Sequence, residues 1–323
     1  MSCTITIVGS LNYDLVTFTQ RVPDGGETIL ADTFESHLGG KGLNEAIATA
    51  RLLPSKDIKV RMIGNVGDDN FGTELKQSLM DCEVDTTFIK TVSGPSGVAV
   101  ILVESSGENR ILVTPGANGK LRPSPEELEM YFPASKSNQY VILQNEFPDT
   151  GNVISWLKTY RPKINICYNP SPFLPELLTT EMLSKIDLLI VNEGEAVDVA
   201  THLLSDVDTK DFGKLATQLK TLINPENIQT IIITMGSKGS LFVDKSMDSP
   251  KFVLSLKVDR VVDTTGAGDT FFGGVVLQLA HGSKLEDAIA FATAASGIVV
   301  QSKGAVESIP FHAKVQSLIE STN

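Results

Sequence analysis

The chain has 323 residues, of which 41% are hydrophobic and 20% charged, proportions typical of a globular protein with a sizeable core. Its formal net charge of −12, without basic clusters, argues against binding to nucleic acid or to an anionic membrane surface. No apolar run is long enough to cross a bilayer, and no basic leader precedes the first strand-like segment, so a secretory signal is not expected.

Strand-like and helix-like segments alternate along the chain, which predicts an α/β fold with a mainly parallel sheet covered by helices on both faces. In chain order, the predictions are a strand at 4–8, helices at 42–53 and 71–82, a strand at 140–143, a helix at 153–159, strands at 165–168 and 188–191, a helix at 212–223, a strand at 228–234, and helices beginning at Thr270, Leu285 and His312.

Two regions depart from this alternation. Residues 15–35 and 96–113 show strand-like patterning with no intervening helix. We interpret them as a small β-sheet that either covers a site at the edge of the main sheet or forms a dimer contact. The chain is therefore predicted to be a single domain, 1–323, with a β lid inserted from about 12–36 and 96–114.

The three cysteines, Cys3, Cys82 and Cys167, are widely spaced and include no CxxC pair. This spacing argues against a zinc site or a disulfide framework and is typical of a reducing compartment. We therefore expect a cytoplasmic protein, with entry into a nucleus left open.

The stretch Asp263–Thr270, DTTGAGDT, carries the strongest chemical signal. It predicts a glycine-rich turn that leads into a helix, whose free backbone N–H groups and dipole favour an anion such as a phosphate. Asp269 would repel that anion, so a proton acceptor for an attacking hydroxyl explains it better. For this motif alone, an ordinary helix start capped by an aspartate is about equally consistent with the residues.

Polar and glycine-rich segments follow several other predicted strands, where parallel sheets bind their ligands. Asn12 and Asp14 follow the first strand, and Glu146 follows the strand at 140–143. Such side chains suit the hydroxyls of a polyol, although, taken alone, a solvated turn at Asn12 and Asp14 and an ordinary surface side chain at Glu146 are the simpler explanations. Gly39–Asn44 precedes a helix, and its glycines would let the backbone approach a ligand closely. Gly64–Gly72 is predicted to be a structural loop.

Two further segments suit a nucleotide. Asn192, Glu193 and Glu195 offer an amide and two carboxylates for Mg²⁺ with its waters, or they are ordinary acids at a helix start. Thr234–Gly239 offers a hydroxyl, backbone amides and a lysine for phosphates, or it is a turn into the next strand. Neither segment is a Walker A motif, and the protein-kinase motifs are missing. Together, these segments are typical of a ligand cleft.

These motifs resemble the signatures of the ribokinase-like (PfkB) carbohydrate kinases. Asp263–Asp269 is similar to the second family signature, and Gly39–Asn44 with Gly64–Gly72 is similar to the first. Order and spacing agree from Val8 to about Ser308. The resemblance is greatest to the ribose-phosphorylating members, through Asn12–Asp14, Gly40–Gly42, Asn44, Glu146, Asn192, Glu195 and Lys303–Ala305.

The resemblance implies transfer of the γ-phosphate of ATP, with Mg²⁺, to the 5-hydroxyl of D-ribose. Asp269 would be the base, and Gly266, Ala267 and Gly268 would form the anion hole. The implied sugar contacts are Asn12, Asp14, Gly40, Lys41, Gly42, Asn44, Glu146 and Asp269. The implied ATP contacts are Asn192, Thr234, Gly236, Ser237, Lys238, Gly239, Gly268 and Thr293, with Glu195 near Mg²⁺ through water.

The resemblance also implies an activating K⁺ and a homodimer formed through the lid. The matching K⁺ positions are Asp263, Thr265, Val299, Ser302, Gly304 and Ser308. Two residues depart from the pattern: Glu45 stands where a glutamine is usual, and Thr293 stands where an Asn or His contact to adenine is expected. The alternatives are a kinase of the same fold for another sugar, sugar phosphate or nucleoside, and a catalytically silent sensor. A dinucleotide oxidoreductase is disfavoured, because no GxGxxG follows the first strand.

Overall fold

The computed structural model describes residues 3–55, 57–135 and 137–322. The strands are β1 (Cys3–Val8), β2 (Asn12–Thr19), β3 (Thr33–Gly39), β4 (Ile58–Gly67), β5 (Asp85–Val92), β6 (Gly97–Glu104), β7 (Asn109–Thr114), β8 (Gln139–Leu143), β9 (Asn165–Tyr168), β10 (Leu188–Asn192), β11 (Thr230–Thr234), β12 (Gly239–Val243) and β13 (Lys251–Leu254). The helices are α1 (Lys41–Arg51), α2 (Asn70–Asp81), α3 (Pro125–Tyr131), α4 (Thr150–Tyr160), α5 (Thr180–Leu183), α6 (Glu193–Leu203), α7 (Phe212–Lys220), α8 (Ala267–Ala280), α9 (Leu285–Val299), α10 (Ala305–Ser308) and α11 (His312–Thr322).

A nine-stranded sheet forms the centre of the fold, in the order β13-β12-β11-β10-β9-β8-β1-β4-β5. The strands from β11 to β5 pair in parallel, and β12 and β13 add an antiparallel edge. The predicted α/β class, with a mostly parallel sheet, is therefore confirmed. Because parallel strands run in one direction, their carboxyl ends lie along the same edge of the sheet.

Helices cover both faces of this sheet, so the protein has two hydrophobic cores. Alternate strand residues point to opposite faces: Tyr140 and Ile142 enter one core, and Val141 and Leu143 the other. Side chains of α1, α2, α8, α9 and α11 fill the first core, and side chains of α3 to α7 fill the second. This burial on both sides explains why the strands are nearly continuous apolar runs rather than alternating ones.

The residues predicted to form the lid make up a separate four-stranded sheet in the order β3-β2-β6-β7. Its central strands, β2 and β6, are parallel and pair in register from Asn12 with Gly97 onward. The chain enters this sheet shortly after β1 and returns from β3 directly into α1. The small sheet thus stands at the carboxyl ends of the central strands, beside the start of α1.

The predicted loop at 64–72 is wrong in its first half. Strand β4 continues to Gly67, and Gly64 and Gly67 pair with Ile89 and Val92 of β5. A Cβ at Gly64 would lie 2.5 Å from a methyl carbon of Leu11, and one at Gly67 would lie 2.3 Å from the backbone nitrogen of Ser96. The glycines permit close packing inside a strand, so here they do not mark a turn.

Two smaller observations complete the fold. Within the described residues, no helix is both long and apolar enough to span a membrane. Cys3, Cys82 and Cys167 are free thiols.

Candidate active site

Helix α8 begins with a glycine turn, in which the Ala267 N–H donates to the Thr264 carbonyl at 3.2 Å. Gly266 precedes the helix with φ 77°, a left-handed conformation that favours glycine. A Cβ built on Gly268 would meet no atom within 4 Å, so open space lies beside this residue. The helix starts at Ala267, earlier than predicted, which places Asp269 in its first turn. The backbone donors and the carboxylate thus lie side by side.

Two residues of α1 hold the Asp269 carboxylate. Asn44 Nδ2 donates to Asp269 Oδ2 at 2.8 Å, and Lys41 Nζ lies 3.8 Å from Asp269 Oδ1. The Asp269 side chain retains 15% of its accessibility, and that of Lys41 retains 26%. The carboxylate is therefore oriented and charge-compensated, yet still open to a ligand.

A second group of polar residues lies across from α8. Glu146 accepts from the Ser10 hydroxyl and, at 3.0 Å, from the backbone N–H of Lys41. The Asn12 side-chain oxygen accepts from Asn118 Nδ2 at 2.8 Å, and Asn118 is tied to the backbone of Leu11. These contacts fix both side chains before any ligand binds.

Asp14 lies directly over the backbone of Gly39, where an added Cβ would come within 2.2 Å of its carboxylate. Any larger residue at this position would displace the Asp14 carboxylate, which explains the glycine that begins the segment Gly39–Asn44. Burial, followed by the nearby charge of Glu146, raises the pKa of Asp14 from 3.8 to about 6. This carboxyl therefore changes charge close to neutral pH.

Lys41 is the cation among these acids. Burial alone would lower the pKa of its ammonium, but the carboxylates of Asp269 and Glu146 raise it above the usual value. The ammonium is thus held charged beside the open space at Gly268. A fixed positive charge there suits a phosphoryl group.

A small cavity of about 90 Å³ joins α8 to the ends of β10 and β11. Asn192 and Glu195 line it and form a reciprocal capping box at the start of α6. Glu195 Oε2 accepts from the Asn192 backbone and, at 3.0 Å, from Asn169 Nδ2. Both interpretations of Glu195 are therefore compatible with the structure, because it caps a helix and also faces the cavity. Glu193 does not line the cavity and instead pairs with Lys238. The full lining is Lys41, Glu45, Asn169, Ile190, Val191, Asn192, Glu195, Thr234, Gly268, Asp269 and Phe272.

The remaining nucleotide candidates are less closely grouped. Thr234 ends β11 and lines the same cavity, and Gly236–Lys238 form a 3₁₀ turn that leads into β12. Lys238 is exposed and pairs with Glu193 at 2.7 Å instead of pointing into the cavity. Thr293 is buried in α9, and its hydroxyl has no hydrogen-bond partner among the described residues.

The candidate K⁺ residues lie where the loop before α8 meets the segment after α9. Asp263 Oδ1 accepts from Thr265, and its Oδ2 accepts from the Gly304 N–H at 3.0 Å. These hydrogen bonds lower the pKa of Asp263 although partial burial opposes the shift. Gly304 has φ 79°. The other candidates lie on the same segment: Val299 ends α9 and accepts from Ser302 at 3.2 Å, and Ser308 ends α10.

The small sheet contacts this same segment. His37 of β3 contacts Glu307 at 3.1 Å, and Glu35 of β3 contacts Lys303 at 2.8 Å. The acidic partners raise the pKa of His37 even though burial acts in the opposite direction. At the opposite side of the small sheet, Asp69 caps α2 and also accepts from the N–H and hydroxyl of Ser96.

Sequence reasoning missed four residues that position the site: Ser10, Asn118, Gln144 and Asn169. Asn118 and Asn169 reach their partners across 106 and 26 positions of the chain. No local motif marks such contacts. Of these four residues, only Ser10 could have been found from the sequence, because it lies between the first strand and Asn12. Within the described ranges, no group of three or more His, Cys, Asp or Glu side chains could hold a metal ion by itself.

Comparison with known proteins gives consistent matches over almost the whole chain. The model for the pfkB family of carbohydrate kinases matches residues 4–312. A ribokinase of Schizosaccharomyces pombe is 38% identical over 310 residues, which cover 95% of this chain and 94% of the relative. A deoxyribokinase of Salmonella typhi is 34% identical over 95% of both chains. The structure of Arabidopsis thaliana ribokinase complexed with ribose and ATP superposes with a TM-score of 0.85, 29% identity and 99% coverage of both chains.

Proposed function

We propose that this chain, which belongs to the pfkB family of carbohydrate kinases, phosphorylates D-ribose at the 5-hydroxyl with ATP, giving D-ribose 5-phosphate and ADP. The observation that carries the proposal is the Asp269 carboxylate, held by Asn44 and Lys41 beside the open space at Gly268. A carboxylate, an ammonium and the start of helix α8 converge there. Phosphoryl transfer needs this kind of positioning and charge stabilisation.

In the proposed mechanism, Asp269 takes the proton of the attacking hydroxyl. The N–H groups of Gly266, Ala267 and Gly268 hold the phosphoryl oxygens as charge develops on them, and the Lys41 ammonium adds a fixed positive charge. Asn44 keeps the carboxylate in place through its 2.8 Å hydrogen bond. The helix dipole at the start of α8 favours the same anion.

The sugar would lie between α8 and the small sheet. Asp14 and Glu146 can accept hydrogen bonds from two hydroxyls, and Asn12 can donate through its amide nitrogen, because its oxygen is bound by Asn118. The Gly40–Gly42 backbone allows close approach. A negative charge at Asp14 would repel a sugar phosphate, which supports a neutral sugar.

The nucleotide would lie along the ends of β10 to β12. The supporting feature is the cavity that joins Asp269 to Asn192 and Thr234. Gly236, Ser237, Lys238 and Gly239 would contact the phosphates and ribose of ATP, and Thr293 would lie near adenine. The ion pair between Lys238 and Glu193 would have to open for the lysine to reach a phosphate.

Two metal ions are part of the proposal. The donor sets fit them: Glu195 offers a carboxylate at the cavity for a hydrated Mg²⁺, and the segment from Asp263 to Ser308 offers carboxylate, hydroxyl and carbonyl oxygens for K⁺. When bound, Mg²⁺ would neutralise charge on the phosphate oxygens of ATP, and K⁺ would add positive charge to the segment from Asp263 to Ser308.

We also propose a cytoplasmic homodimer that forms through the small sheet. Strand β7 is exposed along its whole length. Ile111, Leu112 and Val113 keep 53%, 67% and 59% of their accessibility, and Phe34 of β3 keeps 61%. An apolar surface of this kind on a small sheet is typical of an interface.

The test is ADP release from Mg-ATP by purified protein, with D-ribose, 2-deoxyribose, fructose, adenosine and fructose 1-phosphate, each with and without K⁺. Ribose-dependent turnover stimulated by K⁺ is the expected result. Turnover with only another acceptor would keep the kinase assignment and overturn the sugar. Ribose binding without turnover on any acceptor would favour the sensor alternative.

A further inference from the structure

Glu45 is a buried acid for which the proposed mechanism has no use. It follows Asn44 in α1, retains 1% of its accessibility and lines the cavity that contains Asp269 and Lys41. Its Oε2 accepts a hydrogen bond from Gln144 Nε2. Gln144, at the end of β8, is fully buried as well. The two side chains therefore meet inside the protein, away from water.

One oxygen on each side chain is left without a donor. Glu45 Oε1 and Gln144 Oε1 are both buried, and neither has a hydrogen-bond partner among the described residues. An ionised carboxylate and an amide oxygen can only accept, so this arrangement leaves two acceptors unsatisfied. Each such atom gives up its hydrogen bonds to water on burial and gains none in return, which destabilises the folded state.

A single proton on the Glu45 carboxyl group would give both unpartnered oxygens a hydrogen bond. A carboxylic acid beside a primary amide can form a cyclic pair, in which the amide N–H donates to one acid oxygen and the acid O–H donates to the amide oxygen. The first of these two hydrogen bonds is present in the structure. A proton on Glu45 Oε1 would supply the second and satisfy both remaining atoms at once.

The surrounding charges also favour the neutral acid. Three charged groups act on Glu45: Lys41 from its own helix, Asp269 from α8, and Glu146 from the segment after β8. Two of these groups are carboxylates, and the one ammonium is 3.8 Å from Asp269. A second ionised acid at position 45 would compete with Asp269 for Lys41.

We propose that Glu45 is a protonated positioning residue, joined to Gln144 in a cyclic acid–amide pair that leaves the Lys41 charge to Asp269 and the phosphates. Burial, and then the charge of Asp269, raises the pKa of Glu45 well above its usual value, in agreement with this assignment. The role toward Asp269 rests on the proposed kinase function, whereas the pair itself does not.

The first test measures stability against pH and does not depend on activity. Glu45→Gln replaces the acid O–H with an amide N–H, so the variant should fold and keep both hydrogen bonds. In the wild type, the folded state retains a proton that the unfolded state releases above a pH of about 4.3. Wild-type stability should therefore fall with pH relative to Glu45→Gln, by about tenfold in the unfolding equilibrium per pH unit, until Glu45 ionises in the folded state.

The control is Glu226→Gln, which removes a carboxylate from the surface. Its stability difference from the wild type should stay constant across the same pH range. A constant difference for Glu45→Gln too, or its failure to fold, would overturn the acid–amide pair. Infrared spectra of the wild type at neutral pH should show a protonated-carboxyl C=O band that Glu45→Gln lacks, and a wild type without that band would also overturn it.

The second test addresses the role toward Asp269. Above the pH at which Glu45 ionises, kcat of the wild type should decline, while that of Glu45→Gln should not. An alkaline decline of equal size in both proteins would overturn the positioning role even where the first test supports the pair. If the wild type shows no ribose kinase activity at any pH, that result would instead contradict the proposed function.

Discussion

Replacement of Asp269 by asparagine tests the centre of the proposed mechanism. The substitution preserves size and shape, and the new side-chain oxygen can occupy the place of Oδ2, 2.8 Å from Asn44 Nδ2. The amide nitrogen then lies where Oδ1 was, 3.8 Å from the Lys41 ammonium. The variant therefore loses the proton acceptor and also the charge that holds Lys41.

The expected loss in kcat is large because both effects act on the transition state. A positioned base contributes about 10²–10⁴ in rate. With the unfavourable contact to Lys41 added, we expect the upper part of this range, about 10³–10⁴, which corresponds to about 4–5.5 kcal/mol of activation free energy. Ribose and ATP binding should change little, since all their proposed contacts other than the Asp269 carboxylate remain.

The assay is ADP release under saturating ribose and Mg-ATP, with titration calorimetry for ribose and thermal unfolding as controls. Turnover within tenfold of wild type would refute the assignment of Asp269 as the base. If ADP release is lost and calorimetry shows that ribose no longer binds, Asp269 is a binding residue and not the base. Neither result is expected from an oriented carboxylate that is open to the ligand.

Three further predictions follow from the site. Gly268→Ala should fold with an unchanged melting temperature, because its Cβ meets no atom within 4 Å, but it should lose most of its kcat because the methyl group occupies the proposed phosphoryl position. Gly266→Ala should instead lower the free energy of unfolding by about 1 kcal/mol or more, as measured by denaturant titration, because Gly266 has φ 77° and an added Cβ would lie 3.0 Å from Ala305 Cβ. Asp14, with a pKa of about 6, accepts fully only when ionised, so KM for ribose should rise as pH falls below 6, by up to about tenfold per unit, and Asp14→Asn should show a high KM without this slope. Asp263→Ala should remove the hydrogen bonds that hold Thr265 and Gly304 and thereby abolish K⁺ stimulation; stimulation of wild-type size in steady-state rates would disprove the assigned K⁺ segment.

The fold was predictable where periodicity and burial agree. The segments at 165–168 and 188–191 were predicted to be strands, and both predictions are confirmed: each segment is short and mainly apolar, as is typical of a strand that is buried on both faces. Strand β5, in contrast, was not anticipated. Its sequence DTTFIKTV is mostly half-buried or exposed at the sheet edge, so its pattern resembles a surface loop.

The site was predictable to the extent that its residues belong to short motifs. Asp269, Lys41 and Asn44 lie within such motifs, and the structure brings all three into contact. Other buried polar residues near the site lie outside these motifs. Gln144, for example, is recognised only by its hydrogen bond to Glu45, which is 99 residues away. Tertiary contacts of this kind follow from the whole fold, so no local window of sequence contains them.

The small sheet affects the order in which the protein folds and the way it is inactivated by heat. Its central strands pair Asn12 with Gly97, residues from distant parts of the chain, so both chain segments must be in place before the pair can form. Long-range strand pairs of this type form slowly, because loop closure precedes any gain from contact. The small sheet is also the less buried of the two and contributes little to either core. We therefore expect the small sheet to form last in folding and to unfold first on heating, so that the enzyme is inactivated while its central sheet is still intact.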